Sequence, residues 1–283
     1  MSSTTLPSRA RGAALGIAPI VTFFALAYAL SWAAWIPLAL LGQTVHHADT
    51  TPSHMPGLLG PMLAALITTA HVDGRPGLRD LFSRMTRWRV DARWWAAAFS
   101  PLAFLAVATP VARIVDGSWP DWSAFDEMNG LPAIGVISVW VLVVLINGFG
   151  EETGWRGFAI PRLQQKCSPL AATLILAVLW AFWHAPLFVM VDGFGEGGPG
   201  MLAGFLFAMA CGAVVLTWLV NHSGSILIVA VWHGTYNIVA GSAGADGTVA
   251  AVVSTLVMAQ AIVLVALELR ARRRGRPGIL LGS

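Results

Sequence analysis

The sequence predicts an all-α fold: a polytopic membrane bundle of about eight transmembrane helices, with an amphipathic interfacial helix near 75–93. Three observations carry this. Hydrophobic residues make up 57% of the 283 positions and charged residues only 11%, with a mean hydropathy of +0.71, whereas soluble domains carry roughly 25% charged residues. Apolar stretches long enough to cross about 30 Å of hydrocarbon recur along the whole chain. When eight spans are drawn, sixteen of the seventeen Lys and Arg residues fall on one side and only Arg113 on the other. Such a bias is what the positive-inside rule requires, so both termini are expected to be cytoplasmic.

Taken in order, residues 1–12 are small and polar with Arg9 and Arg11, and the first span follows over 13–42. That run is too long for the apolar part of a secretory signal, so it reads as a retained span. A loop with His46, His47, Asp49 and His54 leads to a second span at 56–71, opened by Pro56. The stretch 75–93 holds Arg75, Arg79, Arg84, Arg87, Arg89 and Arg93, interleaved with Leu78, Leu81, Phe82, Met85 and Trp88 at helical spacing. This is the pattern of a helix lying in the membrane interface. Further spans are expected at 95–114, 132–160, 170–191, 201–220, 225–241 and 249–269, and an arginine-rich tail ends the chain. The only low-complexity stretches are this tail and the Gly-rich turn of 193–200. All of this is one integral membrane domain, 1–283. Cys167 and Cys211 provide no disulfide framework, and topology accounts for the basic charge without any nucleic-acid partner.

The unusual segment is Gly150-Glu151-Glu152-Thr153-Gly154-Trp155-Arg156, which follows sixteen uncharged residues, Ala133 to Gly148. Carboxylates this close to an apolar span cost several kcal/mol unless paired or hydrated, roughly by transfer scales. On a helix Glu152 and Arg156 are four apart and share a face, while Glu151 points about 100° away. One glutamate then has a partner and the other is left over. Within two other spans stand His184 and His233, and Asn237 lies four residues after His233 on the same face. A single intramembrane His or Asn is readily explained as an interhelical hydrogen-bond donor. The set together is not, because such bonding needs no pair of carboxylates. The remaining histidines fall in loops or at span ends and are assigned no role. The thirteen tryptophans read as anchors at span ends and filling between helices.

One chemistry fits the set, hydrolysis of an amide, which needs a base for water, donors for the oxyanion and a proton for the leaving amine. Glu151 suits the base, His184 can orient the water, and His233 with the Asn237 amide can donate to the oxyanion. Glu151, His184 and His233 also make a plausible set for a divalent metal such as zinc, with water in the fourth position. The spacing is not that of a His-Glu-x-x-His helix. These residues are expected to meet in a hydrated cavity opening to the cytoplasm.

The three motifs resemble those of the type II CAAX prenyl endopeptidase and bacteriocin-immunity family of intramembrane metalloproteases, also called CPBP or Abi proteins. The family carries Glu-Glu-x-x-x-Arg, Phe-x-x-x-His and His-x-x-x-Asn on separate helices of an eight-span bundle. Here Glu151 to Arg156 matches the first and His233 to Asn237 the third, whereas Trp180 stands where the second has Phe, four residues before His184. That departure is expected to alter only the packing. The resemblance covers about 130–240, with a catalytic core of 132–241. It implies that Glu151 activates water, that Glu152 and Arg156 support it, and that His184, His233 and Asn237 complete the site. It also implies a membrane-associated or lipidated peptide or protein substrate, cleaved near the cytoplasmic interface. A proton-coupled transporter, a non-catalytic immunity or scaffold protein, and a bis-His haem site are the competing readings. The transporter would favour matched halves with broken helices, and the sequence carries no such repeat.

Overall fold

The computed structural model of the chain describes residues 16–51, 53–192 and 198–280. Arg9 and Arg11, the start of the first expected span and most of the Gly-rich turn lie outside them. The helices are α1 (Ala18–Leu40), α2 (Met55–Val72), α3 (Gly74–Met85), α4 (Ala92–Ala98 and Ser100–Val115), α5 (Val136–Leu163), α6 (Pro169–Val189), α7 (Gly198–Ser223), α8 (Ile226–Gly241) and α9 (Thr248–Arg273). Six of them are long and apolar enough to span a membrane, and α4, bent by 43° at Phe99, makes a seventh if counted as one span. Among the described residues there is no strand, only two isolated bridges.

The α8 helix has 16 residues, so it is about 24 Å long and short for a bilayer. Its side chains from Ile228 to Thr235 are all buried, so protein rather than lipid surrounds it. Ser225 starts it by accepting the Ile228 N–H at 3.3 Å, and its hydroxyl donates to the Arg87 carbonyl at 2.7 Å. In α6 the regular helix stops at Trp183 and becomes a 3-10 turn over Ala185–Val189. Pro186 causes this, since it brings no N–H and its ring clashes with the preceding turn.

The interfacial helix is shorter than the arginine pattern implied. It runs only from Gly74 to Met85, and α4 begins anew at Ala92 after an extended Asp91. Leu81 is buried, Phe82 and the arginines at 75 and 79 face outward, and Arg84 donates to the Gly157 carbonyl at 2.9 Å. Arg162 pairs with Asp73, so α3 and the end of α2 are fastened to the arginine-rich end of α5.

Around the paired glutamates α5 departs from α-helical winding. π-turns at Val144–Phe149 and Trp155–Ala159 bracket Gly150–Gly154, a feature common at functional sites. Two glycines let neighbours approach the backbone there. A Cβ on Gly154 would sit 2.6 Å from Pro61 Cβ of α2, and one on Gly148 would sit 2.5 Å from the Ala230 carbonyl of α8. Behind them Phe23, Phe24, Trp155, Phe158 and Trp183 form an aromatic layer, with Phe23 stacked on Phe158 at 4.8 Å.

At the arginine-poor end three loops are sewn together. The Val45 N–H donates to Met190 O at 2.7 Å, Asp192 N–H to Val45 O at 3.0 Å, and Gly130 N–H to His46 O at 3.1 Å. The His46 ring meets Asp192 at 3.0 Å on the outside of this cap. That hydrogen bond and the Asp192 charge raise the pKa of His46 above its ordinary value.

Candidate active site

The i, i+4 pair forms as helical geometry requires. Arg156 Nη1 donates to Glu152 Oε1 at 2.9 Å, and both side chains are wholly buried. The same carboxylate oxygen accepts from His233 Nδ1 at 2.7 Å, across 81 residues of sequence. A carboxylate only accepts, so the proton between them belongs to His233 Nδ1. The imidazole is thereby oriented, and its Nε2 turns toward Glu151 Oε1, 4.0 Å away. That is too long for a direct hydrogen bond and a span one water can bridge.

Glu151 is 2% exposed. Its other oxygen, Oε2, accepts the indole N–H of Trp180 at 2.7 Å. The Trp180 ring also carries the Arg156 guanidinium at 4.3 Å from its centroid and meets the His233 ring edge-on at 5.8 Å. A cation over an indole in a dry site gains about 2 kcal/mol, which offsets part of the cost of burying Arg156. The Trp180 carbonyl faces His184 Nδ1 at 2.8 Å, and since it can only accept, the proton is on Nδ1. His184 therefore keeps an acceptor lone pair on Nε2. Its ring packs against Trp183 and Phe205, with centroids at 4.8 and 5.6 Å.

These groups line one end of a cavity of about 390 Å³, with Asn237, Asn147 and His54 also in its wall and Leu58, Met209 and Leu216 among its apolar residues. All six residues of the expected site are thus near one another: Glu151, His184, His233 and Asn237 line the cavity, while Glu152 and Arg156 lie behind it. The cavity lining continues through Leu187, Val191, Met128, Asn129 and Gly241 to the arginine-poor end of the bundle, and its deepest members toward the arginine-rich end are Leu216 and Trp232. Toward the arginine-rich end Phe158, Ile160 and Ile226 are fully buried.

The metal expectation meets a specific geometry. Among the described residues no three His, Cys, Asp or Glu side chains are placed to hold one ion. Glu151, His184 and His233 nevertheless share the cavity, and each imidazole is held through Nδ1, by Trp180 O and by Glu152, with Nε2 left over, as in the usual orientation of a metal-ligating histidine.

Three functional candidates were not marked by sequence reasoning. Trp180 is more than packing, because its N–H holds Glu151. Asn147 sits in the uncharged run four residues before Glu151; an amide in such a run was the available signal. His54 is 7% exposed, and burial holds its pKa down to about 4, so it is neutral. Its only signal was proximity to the start of a span.

The bundle defines a polytopic membrane protein in which two glutamates, an arginine and an imidazole meet in one buried cluster. Residues 133–239 match the family described as type II CAAX prenyl endopeptidase Rce1-like. Over 194 residues it is 24% identical to the CAAX prenyl protease 2 of Methanococcus maripaludis, covering 65% of this chain and 69% of that protein.

Proposed function

We propose that this protein is an intramembrane endopeptidase that hydrolyses a peptide bond with a water activated by Glu151. The observation that carries this is the placement of Glu151 Oε1 and His233 Nε2, 4.0 Å apart at the polar end of the cavity. In the reaction Glu151 Oε1 takes a proton from water, and the oxygen attacks the carbonyl carbon as a C–O bond forms. The oxyanion accepts from the Asn237 amide and from His233 when Nε2 carries a proton. Glu151 then returns its proton to the nitrogen as the C–N bond breaks. Glu152, paired with Arg156, orients His233, and His184 Nε2 accepts from the water.

The apolar cavity wall suits a peptide that brings a lipid chain or apolar side chains, and a lipidated or membrane-associated peptide is the substrate class we assign. Counting back from Leu163, Glu151 lies about 18 Å from the arginine-rich end, near mid-span. With the arginine-rich face cytoplasmic, as charge asymmetry dictates, the substrate reaches Glu151 from the opposite face.

The test uses the full chain in nanodiscs and a fluorogenic peptide ending in a farnesylated Cys-aliphatic-aliphatic-X sequence, with its unlipidated counterpart alongside. Glu151→Gln should lower the rate by about 10²–10⁴-fold, the usual worth of a positioned base, with thermal stability retained. Cleavage by Glu151→Gln at the native rate would sink the assignment and favour a non-catalytic membrane role.

A further inference from the structure

We propose that Trp180 is a positioning residue whose indole N–H selects the oxygen of Glu151 that meets the water, a task phenylalanine at this place cannot perform. The inference rests on the hydrolytic reading above and adds the residue that makes Glu151 directional. Four contacts meet at this one residue, three through its side chain and one through its backbone. Its N–H donates to Glu151 Oε2 at 2.7 Å, its face lies 4.3 Å from the Arg156 guanidinium, its ring stands 5.8 Å from that of His233, and its carbonyl takes the His184 Nδ1 proton at 2.8 Å. Trp180 is 4% exposed, so the indole is held in place.

The consequence follows from carboxylate geometry. The last torsion of a glutamate is broad and roughly two-fold, so an untethered carboxylate exchanges its oxygens freely. A charge-assisted N–H bond in a water-poor site breaks that symmetry. With Oε2 engaged by Trp180, Oε1 is the oxygen presented to His233 Nε2. Phenylalanine would fill most of the volume and keep a face for Arg156, yet leave Oε2 without its donor. The competing account is that tryptophan here only fills space, and it predicts that any aromatic of the same shape suffices.

The two accounts separate with an isostere. Replacing Trp180 by 3-benzothienylalanine, through site-specific incorporation, keeps the shape and the π-face and removes only the N–H. On the farnesylated peptide in nanodiscs, kcat should fall by about 10–100-fold with KM within about twofold, as for loss of a hydrogen bond that orients a reacting group from behind. Trp180→Phe should behave likewise, and melting of the isostere variant should match the native chain. A native kcat for the isostere overturns the proposal. Glu151→Gln run beside it separates the failures: if it still cuts, the hydrolytic reading falls, and if it is dead while the isostere is fully active, only the role of Trp180 falls. A second measurement needs no substrate. In protein with 15N-labelled indoles, the resonance lost in Trp180→Phe should move upfield in Glu151→Gln, since a neutral amide replaces the charged acceptor. An unmoved resonance overturns the proposal whether or not the peptide is cut.

Discussion

Two glutamates in this chain share one sequence relation, an arginine four residues on, and have opposite uses. Glu152 and Glu268 are both wholly buried, and each pairs with an arginine four residues on: Arg156 at 2.9 Å and Arg272 at the end of α9. The difference lies in what else reaches them. Glu152 receives an imidazole from α8, and its neighbour Glu151 faces the cavity. Glu268 receives a backbone N–H from Leu280 at 2.9 Å, while Asn221 and His222 of α7 take the carbonyls of Leu280 and Ile279 at 2.6 and 2.7 Å. One carboxylate orients a titratable ring; the other fastens the chain's own tail to the bundle. A buried i, i+4 ion pair is therefore a structural device by default, and becomes part of a site only when a reactive group shares its oxygen.

The sharpest test of that contrast is activity. Glu152→Gln should lower peptide cleavage by about 10²-fold, since His233 loses the acceptor that fixes its tautomer. Glu268→Gln should stay within about threefold of the native rate while lowering the melting temperature. A reversal of this order breaks the comparison. Stability should rank the arginines next. Arg156→Ala leaves Glu152 buried without its cation and should cost about 3–5 kcal/mol. Arg272 is 38% exposed at its side chain, so Arg272→Ala should cost nearer about 1 kcal/mol. Denaturant titration in micelles measures both.

Smaller effects distinguish the two ends of the bundle. A cysteine placed at Asn129, in the cavity wall, should react with an impermeant maleimide added outside intact cells. Protection there, with labelling from the cytoplasm, reverses the proposed orientation. The smallest effect is on pH. His54 has a folded pKa of about 4 against an ordinary 6.5, so the unfolded chain binds more protons between those values. Stability should fall as pH drops from about 6.5 to 4 and be flat above, and His54→Gln should flatten that slope.

Much of this was legible in the residues themselves. Composition and charge asymmetry placed the chain in a membrane, and the helical repeat put Arg156 over Glu152 and Asn237 above His233, because those relations close within a single turn. The interfacial helix was over-extended because arginine spacing continues past Met85 although the helix does not. The π-turns escaped notice, since their cause is packing against α2 and α8 and not local propensity.

What the sequence by itself determined is therefore the set of polar groups sent into the membrane and the pairs joined inside one helix. The tertiary structure decided which oxygen each donor takes: His233 reaches Glu152 across 81 residues and Trp180 reaches Glu151 across 29. It also decided which end of the bundle stays hollow. Those outcomes depend on how closely helix backbones approach at Gly148 and Gly154, and contact across such distances in sequence leaves no periodic trace along the chain.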